Sequence, residues 1–382
     1  MRRRVFLAGA GGLVALGAVG GAARLASLPD APPVIDPPVV PAEEQAAILA
    51  GLRPTKRARP VIAVVGINDA TETTDYLMPY GVLKRSGAAD VFALTPEDAP
   101  VSLYPALKVR PDMTMARFDA LYPDGADHVI VPAMSRDDDP AVLAWLGAQA
   151  ARGAVIIGVC AGARVVAEAG LLDGRRGTTH WYYLKGLRAR HPRMTYVPDR
   201  RLVLDRGVAT TTGITASLPM ALTLIEVIAG RARAEATARD LGLADWDARH
   251  ASAMFRFNRP FALTVLGNRL SPWRRERLGL RLTPGMDEVT LALTADAWSR
   301  TYRSQAVSWT PDGGEIVTRS GLRLLPDEAA AEWPADRRLP DPGAQPPARA
   351  LDLTLQAIAD RYGPQTADVV AMQLEYPRRF AS

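Results

Sequence analysis

The stretch "AVIIGVCAGARVVAEAG", residues 154–170, holds the only cysteine of this 382-residue chain and decides its fold. An apolar run of strand length leads to Cys160, and a helical pattern begins directly after it. The pattern therefore predicts a strand, a sharp turn at Cys160 and a helix. Residues 158–162 have the form G-x-C-x-G, the cysteine counterpart of the G-x-S-x-G nucleophile elbow. Two interpretations of Cys160 remain open at this point, a catalytic nucleophile and a small residue of the hydrophobic core.

An elbow of this kind places physical demands on the residues around the cysteine. Strand and helix backbones pass close together at such a turn, which accounts for the small residues Gly158, Ala161 and Gly162. Backbone N–H groups at a helix N-terminus lower the pKa of a thiol and favour the thiolate. The Ala161 N–H is also placed to donate to an oxyanion. We therefore expect Cys160 to face a pocket.

Outward from this stretch, apolar runs alternate with helical patterns. "VIAVVG" (61–66), "ADVFALTP" (89–96) and "HVIVPAM" (128–134) predict buried strands, and "DYLMPYGVLKRSG" (75–87) predicts a helix between the first two. The alternation predicts an α/β fold of the flavodoxin-like type, a parallel sheet with helices on both faces.

Asp75 follows the first predicted strand. The loop that carries it lies at the carboxyl edge of a parallel sheet, the same edge as the elbow. Asp75 is therefore a candidate catalytic acid, and the alternative is that it only caps the helix that follows.

The sequence gives little support for metals, cofactors or nucleic acid. Spacing typical of a zinc site does not occur, and no glycine-rich phosphate loop opens the first helix, so we expect neither metal nor cofactor. His128 opens a predicted buried strand and His191 lies in an arginine-rich loop, so we expect structural roles for both. The net charge of +5 comes mostly from scattered arginines, and we expect no nucleic-acid partner.

The N-terminus has the layout of an export signal. Arg2–Arg4 precede an apolar stretch, and "RRVFL" (3–7) fits the twin-arginine pattern R-R-x-F-L. We predict an exported protein, periplasmic or extracellular, in which residues 1–28 are either cleaved or kept as a membrane anchor through residues 5–23. A disordered basic tail is the alternative. The many prolines in residues 29–60 predict a linker, and the segment also contains a short helical patch.

The C-terminal third resembles the first domain. "LTPEDAPVSLYPALKVRPD" (94–112) aligns without gaps to "WTPDGGEIVTRSGLRLLPD" (309–327), and residues 218–241 align to residues 351–374. We interpret residues 281–382 as a shortened, degenerate repeat of the domain at 61–244, joined by a connector at 245–280 and lacking the elbow. Chance similarity between α/β units is the alternative. Such a repeat would pair with the first domain within the chain, and a homodimer is the other possibility.

Three further blocks carry a family resemblance. "TDYLMPYGVL" (74–83), "GVCAGARVVAEAGLLDGRRGTTHW" (158–181) and "TTTGITASLPMALTLIEVIAG" (210–230) resemble the ThiJ/PfpI superfamily, which has a class-I glutamine-amidotransferase-like fold. The resemblance covers roughly residues 61–243 and is closest to the branch found in AraC-type regulators and isocyanide hydratases. "PGMDEVTLAL" (284–293) also looks like the opening of this domain.

The resemblance implies roles for individual residues. Cys160 would be the nucleophile and Asp75 the carboxylate that hydrogen-bonds or donates a proton near it. His180 would be mainly structural, and we expect it to line the pocket together with Thr212 and Gly213.

Departures from the family pattern bear on function. Ala161 stands where the hydratases have threonine and many other relatives have histidine, and Gly81 stands where the family has glutamate. A helix-turn-helix pair, which the regulators carry, is not apparent. Two functions therefore stay open, an exported enzyme that adds the Cys160 thiolate to a small electrophile, and a non-catalytic sensor of a small molecule or of redox state.

Overall fold

The computed structural model describes residues 24–270, 273, 275–341 and 345–377. Residues 1–23, with most of the predicted export signal and the predicted anchor, lie outside the described residues. Within the described ranges, no helix combines the length and the apolarity needed to cross a bilayer.

The described part of the chain contains both strands and helices. The strands are β1 Val61–Val65, β2 Asp69–Glu72, β3 Asp90–Thr95, β4 Val101–Tyr104, β5 Lys108–Arg110, β6 Met113–Thr114, β7 His128–Val131, β8 Val155–Gly158, β9 Arg176–Gly177, β10 Thr195–Tyr196, β11 Leu202–Asp205, β12 Val208–Thr211, β13 Glu276–Arg281, β14 Ser304–Thr310, β15 Ile316–Val317, β16 Arg323–Leu325 and β17 Glu328–Ala329. The α-helices are α1 Ala42–Gly51, α2 Thr73–Ser86, α3 Met115–Leu121, α4 Pro140–Ala151, α5 Gly162–Glu168, α6 Trp181–Arg190, α7 Ser217–Ala229, α8 Arg231–Leu241, α9 Arg259–Arg269, α10 Glu288–Ser299, α11 Pro347–Tyr362 and α12 Pro364–Gln373.

The main sheet has the strand order β11-β12-β8-β7-β1-β3-β6. All neighbouring strands are parallel except β11 and β12, which form an antiparallel edge pair. From β3 to β12 the order follows the flavodoxin-like pattern, in which the second strand lies outside the first and the later strands follow on the other side. The predicted fold class is therefore confirmed for the first domain.

Side chains of the central strands point alternately to two apolar cores, one on each face of the sheet. In β1, Ile62 and Val64 pack with helices α2 and α7, whereas Ala63 and Val65 pack with helices α3, α4 and α5. Burial on both faces explains why the strand is apolar at every position.

The remaining strands form smaller sheets. Strands β13, β14 and β17 form a parallel sheet, and β15, β16, β5, β4 and β2 form a mixed one. Strand β13 begins at Glu276, inside the segment that the sequence analysis assigned to the connector. Strand β5 belongs to the first domain and β16 to the C-terminal third, so this mixed sheet joins the two parts.

The segment expected to be a linker packs against the first domain. Val40, Ile48 and Leu52 are buried there. Ile48 lies in helix α1, Leu52 is the C-cap residue of that helix, and both belong to the apolar core that includes Leu202 of strand β11. The predicted helical patch is α1, and its apolar side chains hold residues 40–52 on the domain instead of leaving them as a free spacer.

Candidate active site

Cys160 lies in the sharp turn that the sequence predicts, between strand β8 and helix α5. Its φ is 56°, in the left-handed region that is costly for a non-glycine residue. Two threonines hold this conformation. The Cys160 N–H donates to Thr211 Oγ1 at 3.1 Å, and Thr179 Oγ1 donates to the Cys160 carbonyl oxygen at 3.0 Å. The turn is therefore fixed by the end of strand β12 and by the loop that precedes helix α6.

The small residues next to Cys160 are required by close packing. A Cβ added to Gly162 would overlap the carbonyl oxygen of Val131 at the end of the neighbouring strand. A Cβ added to Gly158 would lie 3.0 Å from the Cα of Ala163. The Ala161 N–H points at the Cys160 sulfur and lowers its pKa, as expected for an elbow.

The Cys160 side chain is almost closed off from solvent. The residue is 4% exposed, which contradicts the expectation of an open pocket at this position. A cavity of about 1060 Å³ lies nearby, and its lining includes Thr179 and Thr212 but not Cys160. A substrate must therefore be small, or side chains must move, before it can contact the sulfur.

Asp75 does not cap the helix, so that alternative is excluded. Helix α2 begins at Thr73, and its N-cap is Glu72, whose Oε2 accepts the Asp75 N–H at 2.6 Å. The Asp75 carboxylate instead accepts the Ala133 N–H through Oδ2 at 3.1 Å. Asp75 is 0% exposed, and its Oδ1 has no hydrogen-bond partner among the described residues.

A network of buried charges surrounds Asp75. Arg300, at the C-terminal end of helix α10, donates to Glu72 Oε1 at 2.7 Å and to Asp296 Oδ1 at 2.6 Å. Asp296 is 0% exposed, and its Oδ2 has no hydrogen-bond partner in the described ranges. Three buried carboxyl groups, those of Glu72, Asp75 and Asp296, therefore share the charge of one arginine.

Burial dominates the protonation of this network. It raises the pKa of Asp75 well above its ordinary value, and the nearby Glu72 charge raises it further. Burial also raises the pKa of Asp296. Burial opposes the charge of Arg300, yet Asp296 and Glu72 together raise its pKa. Arg300 therefore stays charged, whereas Asp75 and Asp296 are protonated well into the range where exposed carboxyl groups are ionised.

The thiol does not have the lowered pKa expected from the elbow alone. Burial raises the pKa of Cys160 well above its ordinary value, and Asp75, Glu72 and Glu375 add to this effect, while the Ala161 N–H opposes it. Desolvation thus outweighs the helix N-terminus. Both shifts favour the neutral forms, a thiol at Cys160 and a protonated carboxyl group at Asp75.

His180 has a structural role, as the sequence analysis expected. It caps helix α6, since its Nδ1 accepts the Tyr182 N–H at 3.2 Å and its Nε2 donates to the Gln373 carbonyl oxygen at 2.9 Å. Burial lowers the pKa of His180 to about 4, so the ring is neutral.

Thr212 and Gly213 lie beside a buried carboxylate from the C-terminal segment. Glu375 is 2% exposed, and its carboxylate accepts the Gly213 and Trp181 N–H groups, each at 2.7 Å. Burial raises the pKa of Glu375 to about 7. Thr212 and Glu375 both line the 1060 Å³ cavity, whose lining does not include Gly213 or His180.

The other three histidines lie away from the sulfur. His128 Nε2 contacts the Leu52 carbonyl oxygen at 2.8 Å, and His191 Nε2 contacts Glu168 Oε1 at 3.1 Å. His250 stacks on Phe255 and lies 3.5 Å from Glu375 Oε2, and burial lowers its pKa to about 3.

Sequence reasoning missed Glu72, Asp296, Arg300 and Glu375. Glu72 could have been found as an acidic residue three positions before Asp75 at a helix start. Arg300 could have been found by extending the internal alignment upstream, where it matches Arg85. We find no sequence signal for Glu375.

Comparisons with known proteins identify relatives of this chain. Residues 61–227 match the model of the DJ-1/PfpI family. An isonitrile hydratase from Pseudomonas putida is 33% identical over 161 residues, which are 41% of this chain and 67% of the relative. The HTH-type transcriptional regulator CdhR from Pseudomonas aeruginosa is 37% identical over 86 residues, 22% of this chain and 25% of the regulator. The chain thus spans two thirds of the hydratase and only a quarter of the regulator.

Solved structures with a similar fold include DJ-1beta from Drosophila melanogaster, at 22% identity and a TM-score of 0.44 over 49% of this chain and 100% of that one. A THiJ/PfpI family protein from Pseudomonas syringae is also 22% identical, with a TM-score of 0.43 over 50% of this chain and 77% of that one.

Proposed function

Because this chain belongs to the DJ-1/PfpI family, we propose that it is a cysteine-dependent hydratase acting on a small electrophilic carbon. The observation that carries the proposal is the pairing of a strained, buried cysteine with Asp75, whose Oδ1 is free to exchange a proton. The similarity to an isonitrile hydratase makes isonitriles the first substrate class to test.

The protonation of the pair suits an addition that begins from a neutral thiol. The Cys160 sulfur forms a bond to the isonitrile carbon, while the Asp75 carboxyl delivers its proton to that carbon and takes up the thiol proton. The product is a thioimidate, in which the C–N triple bond has become a double bond. The step adds the S–H group across the carbon and requires no oxidant or reductant.

Water then releases the product. It adds to the thioimidate carbon, the nitrogen takes up a proton, and the C–S bond breaks to give an N-substituted formamide and the free thiol. The net change is addition of one water molecule. Burial around Cys160 favours this order of events, since a dry site limits the reaction to small substrates and keeps bulk water from the sulfur before addition.

The test is turnover of a small alkyl isonitrile by the full-length protein, followed as loss of isonitrile and gain of formamide. We expect Cys160→Ser to lose activity almost completely and Asp75→Asn to lose a factor of roughly 10² to 10⁴ in kcat, the usual contribution of a general acid. Asp139→Asn, which alters an N-cap on helix α4, is a matched control and keeps wild-type turnover. Activity that survives Cys160→Ser would refute the proposal.

The alternative function, a small-molecule sensor, is favoured by one observation. The 1060 Å³ cavity beside the elbow is large enough for a small-molecule ligand, and its lining is rich in aromatic side chains. Under this alternative, a ligand binds with equal affinity to wild type and Cys160→Ser, and neither protein turns it over.

A further inference from the structure

The C-terminal third repeats the elements of the first domain in order. The first domain runs β1, β2, α2, β3, β4, β5, β6, and the later segment runs β13, α10, β14, β15, β16, β17, so every element of this series except β2 has a counterpart. Five of the six matching pairs begin at residues 215 positions apart: Val61 and Glu276, Thr73 and Glu288, Val101 and Ile316, Lys108 and Arg323, Met113 and Glu328. The sixth pair, β3 and β14, begins at Asp90 and Ser304, which are 214 positions apart.

Fine details of the two segments also correspond. The Asp112 carboxylate accepts the Ala93 N–H at 2.8 Å, and at the matching positions the Asp327 carboxylate accepts the Ser308 N–H at 3.0 Å. Strand pairing matches too, with Leu94 opposite Met113 in one segment and Trp309 opposite Glu328 in the other.

The helical hairpins that close the two segments share the same joint. Helices α7 and α8 are joined at Gly230, with φ 84° and ψ 162°, and helices α11 and α12 are joined at Gly363, with φ 92° and ψ 153°. Such agreement in backbone angles and hydrogen bonds is far more specific than the general likeness of α/β units.

The two segments contact each other with two-fold symmetry. Strands β5 and β16 pair antiparallel, with Lys108 opposite Leu325, Val109 opposite Leu324 and Arg110 opposite Arg323. Exchanging the two segments maps this pairing onto itself, as in the contact between the subunits of a symmetric dimer.

Two ion pairs between helices α2 and α10 obey the same symmetry. Arg85 binds Asp287, the N-cap of α10, and the matching Arg300 binds Glu72, the N-cap of α2. Gly81 belongs to this contact as well, because a Cβ there would overlap the carboxylate of Glu288. The family has glutamate at the position of Gly81. The glycine found here leaves space for Glu288, which comes from the other segment.

We infer that residues 276–377 are an internal second subunit and that they complete the Cys160 site by supplying Arg300 as a positioning residue. Arg300 holds Glu72 Oε1, and Glu72 Oε2 holds the Asp75 N–H, so the second subunit fixes the turn that presents Asp75. The inference rests on the proposed role of Cys160, whose protonation Arg300 would influence through this chain of contacts.

The symmetry is broken where the chemistry lies. Thr290 matches Asp75. Among the described elements, the second segment has no counterpart of the stretch from β7 to β12, which contains Cys160. The Arg85–Asp287 ion pair therefore has the same position in the contact between the segments as Arg300–Glu72, but no reactive group lies beside it. Substitution of Arg85 is thus a matched control for substitution of Arg300.

Charged and titratable groups face Cys160 from several elements. Glu72 and Asp75 come from the start of helix α2, Tyr183 from α6, and Glu375 from the C-terminal segment. His180 is neutral, as described above. Arg300 acts against the carboxylates, since it lowers the pKa of both Asp75 and Tyr183. Losing this cation leaves the carboxylates unopposed and makes the thiolate harder to form.

The test compares Arg300→Met with Arg85→Met in the full-length protein, through the rate of Cys160 alkylation by iodoacetamide measured by mass spectrometry from pH 6 to pH 10. Cys160 is the only cysteine, so every alkylated thiol reports on the site. We expect Arg300→Met to slow alkylation about tenfold at a given pH, equal to a rise of about one unit in the thiol pKa. Arg85→Met should change the rate by less than about twofold, because Arg85 pairs with Asp240, Asp287 and Glu288 and not with the carboxyl groups that face Cys160.

Arg300→Lys keeps a cation and should recover part of the lost rate, and it serves as the informative variant if Arg300→Met does not fold. Equal rates for both methionine variants, or a slower rate for Arg85→Met, would overturn the inference. Alkylation requires no substrate, so an absence of isonitrile turnover refutes the proposed function and leaves this inference standing.

Discussion

At the scale of single residues, the turn at Cys160 stores conformational energy. A non-glycine residue with φ near 56° is destabilised by roughly 1 kcal/mol or more relative to glycine. The hydrogen bonds from Thr179 and to Thr211 offset that cost. Since strain of this kind concentrates at functional positions, the conformation itself marks Cys160 as more than a core residue.

The stability of variants without the Cys160 sulfur measures the conformational strain of the turn alone. We expect Cys160→Gly to be more stable than Cys160→Ala by about 1 kcal/mol, because glycine adopts a positive φ without a steric penalty. Urea denaturation of the two variants measures the difference. An alanine variant as stable as the glycine variant would show that the turn relaxes when the sulfur is lost.

Gly162 is a second residue whose size is fixed by packing. Gly162→Ala should lower the free energy of unfolding by at least about 2 kcal/mol, because the added methyl group meets the Val131 carbonyl oxygen. Gly186→Ala is the control, since position 186 lies in helix α6 with no atom within 4 Å of the new Cβ, and it should stabilise by up to about 1 kcal/mol. Comparable losses in both variants would contradict this account.

At the scale of elements, the start of helix α6 depends on a residue far away in the sequence. Glu375 accepts N–H groups from Trp181 and Gly213, and the Met372 carbonyl oxygen accepts the Trp181 indole N–H at 2.9 Å. The end of helix α12 thus satisfies polar groups of two loops next to the elbow. These contacts link the order of the site to the docking of the C-terminal segment.

The protonation of Glu375 makes this docking depend on pH. Its pKa is raised from the ordinary 4.5 to about 7, so its contribution to stability is full below pH 4.5 and is lost as pH rises to about 7. Glu375→Gln removes the titration. Relative to wild type, we expect this variant to gain roughly 3 kcal/mol in unfolding free energy between pH 4.5 and pH 8.

Chemical denaturation of both proteins at several pH values measures this gain. The comparison cancels any constant offset from the amide group, because only the change with pH is used. Parallel pH profiles for Glu375→Gln and wild type would show that Glu375 is ionised throughout.

At the scale of the whole molecule, local patterns in the sequence predicted the strands of the main sheet and the turn at Cys160. The surroundings of Cys160 depend instead on contacts between residues far apart in the sequence. The apolar runs gave the strands β1, β3, β7 and β8, because strands buried on both faces must be apolar throughout. The turn at Cys160 followed from its small neighbours. The burial of the thiol and the contact between Arg300 and Glu72 could not be predicted, since each depends on side chains brought together from distant parts of the chain.

The internal symmetry predicts the oligomeric state. The edge of strand β5 and the face of helix α2 that carries Arg85, through which two copies would pair, are already occupied by β16 and α10. We expect the full-length protein to sediment as a monomer over a hundredfold range of concentration. A dimer that dissociates on dilution would show that a further surface is available for association.

Joining both halves of the contact in one chain changes how the site responds to its surroundings. Two separate subunits that share a site lose it when their concentration falls below the dissociation constant. A covalent connection replaces that concentration by an effective one, commonly in the millimolar range for a flexible connection. The contact between Glu72 and Arg300 therefore forms at any dilution. The second segment needs no nucleophile of its own and has only to keep the surface that contacts the first domain.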